Sequence, residues 1–529
     1  MNLPNRYLEN LRAPWLLALV IALCSAVMAV WWGSVNQDEG WYLYAAQLVR
    51  EGKLPYRDFF FTQGPALPFV YSALTGVWGP ASPLHGLMGG RLVTLAFGIL
   101  GVVFAMGLVR RLVPVERRAA AALAVFVLLA GNIYHVYFNT IPKTYALGGC
   151  FLMAGMLMVA RALEGASKWR QVLLAMGGMA FAFASGTRIS LLLVLPAVGF
   201  ALLFSFRRFR WSFLSFGIGG ALGLFLTYGL FALSPVSLKG LLAAQEYHAA
   251  RGGFDPFFAL GAISRLARGY AALGAVLFAG LLLRSDAAAI DGDADKGVVR
   301  VINWMLGGAF AAVFLLQLSA PFPYDDYQVP IMGLLTVAIV GWFFRRGERP
   351  TMQAWTAVLL VGLATMSSPM LQGWMVYGQD RFWSLKKERT ELSKLRLMAE
   401  EINLLDPGGA MLFTQDLYLA VESGRKVPEG LEMGPFSYFP GLSDKDAEAR
   451  HVLNDSKLEK LIDSAPSEVA AFSGYAFAIA APKCTEVSFE RQRDLFRRLK
   501  ERYEAVDTEH NFGQNATTLL VLRRRSSKP

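Results

Sequence analysis

An acidic pair, Asp38 and Glu39, follows the first long apolar run of the sequence within a few residues. A carboxylate close to hydrocarbon loses hydration, which costs free energy, so its presence there indicates a functional role. Held at the boundary between water and lipid, it can take a proton from a soluble hydroxyl group while it faces a substrate anchored in the membrane. We therefore expect Asp38 to act as a general base and Glu39 to assist or orient it. The alternative is that both residues only cap the helix that begins there.

A second acidic pair, Asp325 and Asp326, stands between two later apolar runs. These carboxylates could bind a divalent cation or an acceptor molecule, and a solvated turn is the alternative. Three histidines are expected near the same face of the membrane: His85, His135 and His248. They leave a zinc site with Asp38 or Glu39 as an alternative, but their spacing lacks a ligand signature. We predict no metal ligand and no certain cofactor, and a divalent cation stays an open alternative.

The composition indicates that a membrane protein positions these residues. Of the 529 residues, 54% are hydrophobic and 17% are charged, and the mean hydropathy is +0.39. A soluble enzyme of this size would not tolerate that composition, and the 13% aromatic content excludes collagen-like and disordered chains. Eleven apolar stretches come near the roughly 20 residues that cross a bilayer. They are 14–33, 86–109, 117–136, 144–162, 171–186, 189–206, 212–233, 266–284, 300–319, 328–344 and 354–370.

The positions of Lys and Arg predict the orientation of these spans, because cytoplasmic loops retain positive charge. Basic clusters occur in four connections, at 110–118, 161–170, 207–210 and 345–349. The amino terminus is therefore expected in the cytoplasm, and an odd number of crossings places everything after Leu371 on the exported side. Residues before Leu371 include 28 basic and 16 acidic side chains, and the rest of the chain includes 23 and 24. The excess positive charge thus belongs to membrane loops, and no nucleic-acid partner is expected.

Two exported regions, 33–85 and 371–529, are too long to be connectors. The first contains two short helical patterns, at 40–50 and 65–78, that we expect to lie along the membrane interface. The second has helical patterns at 384–405 and 489–503, and strand patterns at 410–414, 476–481 and 517–522. We therefore predict an α-helical polytopic membrane protein in which residues 1–370, with the exported loop 33–85, form the transmembrane module. Residues 371–529 are expected to form an exported α/β domain.

The order of the first span, the acidic pair, an interfacial helix and the aromatic run 56–60 before a proline resembles the membrane-embedded GT-C glycosyltransferases. It is most similar to the bacterial family 39 group, which is related to the protein O-mannosyltransferases and the lipid A aminoarabinose transferase. The resemblance covers residues 1–370, and its motifs are concentrated in residues 36–70. Family members often have His-Pro-Pro or Lys-Pro-Pro where this chain has Gln63, Gly64 and Pro65. A basic contact to the donor phosphate is therefore absent at that position.

The resemblance implies a sugar donor carried on a polyprenyl phosphate, with Asp38 and Glu39 as the catalytic acidic pair. A single base without a second carboxylate at glycosidase spacing suits inverting single displacement onto an acceptor hydroxyl of a lipid, glycan or protein. The leaving phosphate needs positive charge, for which the exported cations Lys143, Arg188 and Arg251 are candidates. Lys143 could instead extend to lipid headgroups, and the arginines could pair with carboxylates. Further candidates for the substrate pocket are Tyr42, Asp58, Gln63, His248, Asp325 and Asp326.

These expectations describe a glycosyltransferase in a bilayer, most naturally a bacterial inner membrane. The leading alternative is a transporter or flippase of lipid-linked saccharides. Such a protein would place ionisable residues deep inside its spans and use paired discontinuous helices. Most spans here lack internal charges, and the polar residues gather at the exported face. A second alternative, a non-catalytic assembly protein, leaves the loop around Asp38 unexplained.

Overall fold

A computed structural model describes most of the chain. The described residues are 12–78, 82, 84–164, 169–205, 212–249, 254–282, 296–320, 323–346, 356–357, 359–361, 389–474, 477, 487–513 and 517–525. They divide into two compact units. The first unit comprises Met1–Val30, Thr94–Gly229 and Phe254–Asp380, and the second comprises Trp31–Val93, Leu230–Gly253 and Arg381–Pro529. Loop 33–85 thus belongs to the same compact unit as the carboxyl-terminal residues.

The described residues of the apolar part of the chain are mostly helical, as predicted. Up to residue 346 the helices are α1 (Arg12–Trp31), α2 (Gln37–Arg50), α3 (Ala66–Thr75), α4 (Gly86–Val109), α5 (Arg118–Ala130), α6 (Ile133–Phe138), α7 (Thr144–Leu163), α8 (Arg170–Thr187), α9 (Val194–Ser205), α10 (Ser212–Ala232), α11 (Pro235–Ala249), α12 (Pro256–Gly269), α13 (Ala271–Leu282), α14 (Lys296–Leu318) and α15 (Met332–Arg346). Short 3₁₀ helices occupy Val115–Arg117, Ile189–Leu193 and Asp325–Ile331.

Within the described residues, six helical segments are long and apolar enough to cross a membrane: α1, α4, α7, α10, α14 and Asp325–Arg345. Helices α12 and α13 pass the same test together, but they meet at an angle of 79°, so they form a broken span or a re-entrant loop. The expected polytopic helical class is therefore confirmed. The count of eleven spans stays a prediction, since others fall in shorter helices and most of 354–370 lies outside the described residues.

Several predicted spans are interrupted by local backbone signals. Within the predicted span 117–136, helix α5 ends at Ala130. A new helix, α6, begins shortly afterwards, because the side chain of Asn132 caps it by accepting a hydrogen bond from the backbone amide of His135. Between α8 and the following 3₁₀ helix, Arg188 has an extended backbone. The fifth and sixth apolar stretches are therefore two helices separated at Arg188.

The carboxyl-terminal residues form the predicted mixed α/β domain. Its helices are α16 (Glu391–Leu405), α17 (Leu417–Ser423), α18 (Asp444–Ala449), α19 (Asp455–Ser464) and α20 (Phe489–Arg502), with a 3₁₀ helix at Gly434–Ser437. Its strands are β1 (Phe413–Thr414), β2 (Val469–Phe472), β3 (Tyr503–Phe512) and β4 (Thr517–Arg524). The sheet order is β1-β2-β4-β3, in which β1 and β2 are parallel and the other pairs are antiparallel. The strand predicted at 476–481 lies outside the described residues, apart from Phe477.

The orientation of the spans can be tested with reporter fusions. We expect alkaline phosphatase fused after Ser526 to be active, since that enzyme folds only on the exported side and the predicted odd number of crossings places the tail there. A fusion after Arg346, in a predicted cytoplasmic loop, is the control and should be inactive. An inactive fusion after Ser526, with an active cytoplasmic reporter at the same position, would mean that the span count is off by one.

Candidate functional site

In the second unit, the acidic pair occupies the first turn of α2. Asn36 is the amino-terminal cap: its side chain accepts a hydrogen bond from the Asp38 amide at 3.0 Å. Glu39 completes a capping box, because its Oε1 accepts a hydrogen bond from the backbone amide of Asn36 at 2.8 Å. The capping alternative raised by the sequence therefore describes Glu39.

Glu39 also forms an ion pair with Arg91 of helix α4. The guanidinium donates to both carboxylate oxygens, with Nε–Oε2 at 2.7 Å and Nη2–Oε1 at 2.8 Å, and both side chains are 0% exposed. Arg91 further donates to the carbonyl oxygens of Gly33 and Ser34. A bidentate pair with its remaining donors satisfied can be buried at tolerable cost. Glu39 is thus enclosed and neutralised, which suits a structural role.

Asp38 differs from its neighbour because it is only half-buried. Its Oδ1 accepts a hydrogen bond from the indole Nε1 of Trp41 at 3.2 Å. The Trp41 ring stacks on Tyr42 at 3.7 Å between centroids and meets Phe61 and Phe436 edge-on. An aromatic cluster therefore supports one side of the carboxylate while part of it stays accessible.

The other predicted residues of loop 33–85 are held in local contacts. Tyr42 is buried in the aromatic cluster, and the Gln63 carbonyl accepts a hydrogen bond from the Tyr56 hydroxyl. Tyr56 has a positive φ of 66°, a conformation that costs energy in a non-glycine residue. Asp58 accepts hydrogen bonds from the Leu54 amide and from Arg57. The bonds from Arg57 hold the pKa of Asp58 below its usual range.

In the first unit, Lys143 and Asp326 form an ion pair at 3.1 Å, and the Tyr145 hydroxyl donates to the same carboxylate oxygen at 2.9 Å. Lys143 directly precedes helix α7, and its ammonium lies 5.2 Å from the centroid of the Tyr145 ring. The Arg188 guanidinium lies 5.4 Å from that ring and 4.2 Å from the ring of Tyr327. The structure thus brings together two of the predicted cations around Tyr145.

Asp325 belongs to the same group of charged residues. It accepts hydrogen bonds from Arg265 Nε at 2.8 Å and from the Tyr134 hydroxyl at 2.6 Å. Both aspartates lie in the 3₁₀ helix Asp325–Ile331, with side chains 18% and 15% exposed, so they are packed and paired instead of forming a solvated turn. We call Lys143, Tyr145, Arg188, Arg265, Asp325 and Asp326 the charged cluster. Among these described side chains, three cations accompany two carboxylates.

For two of the predicted site residues the structure describes no side chain. Arg251 lies outside the described residues, as does the side chain of His248, whose backbone belongs to α11. In the part of the chain that the structure describes, no three His, Cys, Asp or Glu side chains come close enough together to hold a metal ion.

Sequence reasoning did not foresee Arg91, Arg265, Tyr134 or Tyr145. For Arg91 a signal was available: it is the lone charged residue in the apolar stretch 86–109, near the predicted exported end. A cation there runs against the positive-inside pattern and needs a partner. The tyrosines carried no comparable signal, because aromatic residues are common at both membrane interfaces.

The chain is similar to known proteins in structure, whereas searches with its sequence found no match. No protein-family model and no curated protein matches the sequence. The crystal structure of ArnT from Cupriavidus metallidurans bound to undecaprenyl phosphate is similar at a TM-score of 0.59 and 13% identity, covering 96% of this chain and 97% of that chain. The apo state of the same protein is similar at 0.60 and 12%, with the same coverage. At this identity the likeness establishes the fold alone: the chain has an ArnT-like fold, as its sequence motifs led us to expect.

Proposed function

We propose that the chain is a glycosyltransferase that moves a sugar from a polyprenyl-phosphate donor to an acceptor hydroxyl. The observation that carries this proposal is the ArnT-like fold, which extends over 96% of the chain, together with the undecaprenyl phosphate in one ArnT structure. We further propose that the reaction takes place on the exported side of a bacterial inner membrane. In this view residues 371–529 cover the site or select the acceptor.

In the proposed reaction Asp38 is the general base. It takes the proton of the acceptor hydroxyl while the hydroxyl oxygen bonds to the anomeric carbon of the sugar. The bond between that carbon and the phosphate oxygen breaks at the same time, and polyprenyl phosphate leaves with the bonding electrons. Because one displacement occurs at the anomeric carbon, its configuration inverts. The half-buried carboxylate of Asp38, hydrogen-bonded to Trp41, supports this assignment.

Glu39 is proposed to orient the first turn of α2 and to take no part in proton transfer. Its two oxygens accept from Arg91, and one of them also accepts from the Asn36 amide. Full burial leaves it without access to a hydroxyl group in solution. This refines the sequence prediction, in which Glu39 either assists or orients Asp38.

The charged cluster is proposed to bind the donor phosphate. Lys143 and Arg188 supply positive charge at the amino-terminal end of α7, where backbone amides also favour an anion. The buried hydroxyl of Thr144, in the first turn of that helix, has no hydrogen-bond partner among the described residues and could donate to a phosphate oxygen. Arg251 stays a proposed contributor on the sequence argument alone.

The direct test is donor consumption by the purified protein in nanodiscs. A panel of labelled undecaprenyl-phosphate sugars would be supplied with a membrane extract as the source of acceptor. We expect wild-type protein to release undecaprenyl phosphate from one donor, and that donor identifies the sugar. No release from any donor by protein shown to be folded would reject the proposal and make flipping of lipid-linked saccharides the next activity to measure.

Lys143→Met is expected to weaken the binding of undecaprenyl phosphate by about 10- to 100-fold, the usual effect of losing one charge-assisted hydrogen bond. Affinity would be measured with labelled undecaprenyl phosphate and folding by thermal denaturation. Since the substitution also leaves Asp326 without one partner, the double variant Lys143→Met with Asp326→Asn is the control. It should recover stability and still bind weakly. Wild-type affinity in the single variant would remove Lys143 from the phosphate site.

A further inference from the structure

Asp416 is a buried carboxylate of the carboxyl-terminal domain that receives an unusual number of hydrogen bonds. It is 1% exposed. Its Oδ1 accepts from Gln37 Nε2 at 2.7 Å, from the Tyr418 hydroxyl at 2.6 Å and from Ser473 Oγ at 2.8 Å. Its Oδ2 accepts from the Ser473 amide at 2.8 Å. A buried polar network in which the carboxylate is fully hydrogen-bonded is rigid and fixes the position of every member.

One member of this network, Gln37, is the first residue of α2 and the neighbour of Asp38. It comes from the first exported loop, whereas Asp416 lies 379 positions later in the chain. The Gln37 side chain is itself buried, at 7% exposure. The network therefore attaches the first turn of α2 to the sheet domain within the second unit.

The two neighbours of Asp38 are thus held by different buried partners. Successive residues of a helix project about 100° apart around its axis. Gln37 is fixed by Asp416, and Glu39 is fixed by Arg91. Asp38 lies between them, and its own side chain is the half-buried one of the three. Its direction is consequently set by the attachments on either side.

The backbone also approaches closely at this point. A Cβ atom on Gly40 would lie 2.3 Å from the backbone nitrogen of Tyr418, so only glycine allows the first turn of α2 to pack against the start of α17. This contact leaves little room for the turn to shift once the Gln37–Asp416 bond has formed.

We propose that Asp416 is a positioning residue for Asp38 and acts through the side chain of Gln37. The inference rests on the proposed function, in which Asp38 is the base. It adds that the carboxyl-terminal domain helps to assemble the catalytic turn. A displacement of about 1 Å in a reacting group can lower a rate by about 100-fold, so the loss of one attachment affects turnover more than substrate binding.

The test variant is Gln37→Met, which preserves side-chain length but removes the donor to Asp416. We expect kcat for donor consumption to fall by about 10- to 100-fold, with an unchanged KM for the donor. Hydrogen exchange of the backbone amides at residues 37–42 should be faster than in wild type. The second measurement does not depend on activity. Asp416→Ala removes both acceptor oxygens and should give the same two changes, with a larger loss of thermal stability because Tyr418 and Ser473 also lose their acceptor.

Tyr44→Phe is the matched control. The Tyr44 hydroxyl accepts a hydrogen bond from the Val427 amide at 3.0 Å, so this substitution also removes one bond between α2 and the carboxyl-terminal domain, two turns away from Asp38. It should lower thermal stability to a similar extent and leave kcat unchanged. Equal kcat values in Gln37→Met and Tyr44→Phe, or unchanged exchange at 37–42, would overturn the positioning role. Wild-type kcat in Asp38→Asn would instead overturn the assignment of Asp38 as the base, and no release from any donor by folded wild-type protein would overturn the proposed function.

Discussion

Replacing Asp38 by Asn is expected to reduce sugar transfer by about 100- to 10,000-fold, the range that general base catalysis contributes. The amide has nearly the same shape, and its oxygen can still accept the hydrogen bond from Trp41. It cannot take a proton from the acceptor hydroxyl. Stability and membrane insertion should therefore be unchanged, and the loss should appear in kcat. The measurement is the release of undecaprenyl phosphate by the two purified proteins under identical conditions.

Glu51→Gln provides the control for this experiment. Glu51 follows the last turn of the same helix and pairs with Lys426 at 2.8 Å in an exposed position. The substitution makes the same change of charge at the other end of α2, where surface ion pairs contribute little. It should keep wild-type turnover. If Asp38→Asn turned over the donor at the wild-type rate, Asp38 would not be the base.

The long helices of the membrane part could be predicted because long apolar runs in the sequence indicate them. The stretch predicted at 86–109 is helix α4 with the same bounds, and that at 144–162 is α7 to within one residue. The predicted span at 266–284 is different, since the helix breaks at Tyr270 and bends by 79°. Its start was also misplaced, although Asp255 and Pro256 form a standard helix beginning. The mean hydropathy of a whole span does not reveal a single helix break or a single capping residue.

The strands of the carboxyl-terminal domain were harder to predict. Strand β2 consists of Val469–Phe472 and includes two alanines, which have little preference for strands. It is a strand because it lies between β1 and β4 and is buried throughout. Strand β3 begins directly after the basic helix α20, and its charged residues resemble a continued polar segment. Tertiary pairing decides both strands, and no local pattern contains that information.

The arrangement of the candidate site also depends on tertiary contacts that the sequence does not reveal. Lys143, Arg188, Asp325 and Asp326 were each identified from residue type and position in the sequence. Their grouping was not predicted, because Lys143 and Asp326 are 183 positions apart. Glu39 was assigned together with Asp38 because the two are adjacent. The structure distinguishes them, since adjacent residues of a helix face different surroundings: Glu39 is fully buried in an ion pair with Arg91, and Asp38 is half-buried.

Arg91→Met is expected to destabilise the protein by about 3–5 kcal/mol, because it leaves the carboxylate of Glu39 buried without its partner. Both side chains are 0% exposed, so solvent cannot replace the lost interaction. The carbonyl groups of Gly33 and Ser34 would lose a donor as well. Thermal denaturation in nanodiscs and the yield of folded protein measure this effect. Arg91→Lys should be intermediate, since an ammonium group does not reproduce the two parallel bonds of the guanidinium.

The double variant Arg91→Met with Glu39→Gln separates a structural role of Glu39 from a chemical one. Removing both charges avoids the uncompensated carboxylate, and the glutamine oxygen can still accept from the Asn36 amide, so most of the lost stability should return. If Glu39 only orients the turn, the double variant should also keep measurable transfer, in contrast to Asp38→Asn. A stable double variant without transfer would instead make Glu39 part of the chemistry. A double variant no more stable than Arg91→Met would mean that the ion pair is not what makes Arg91 necessary.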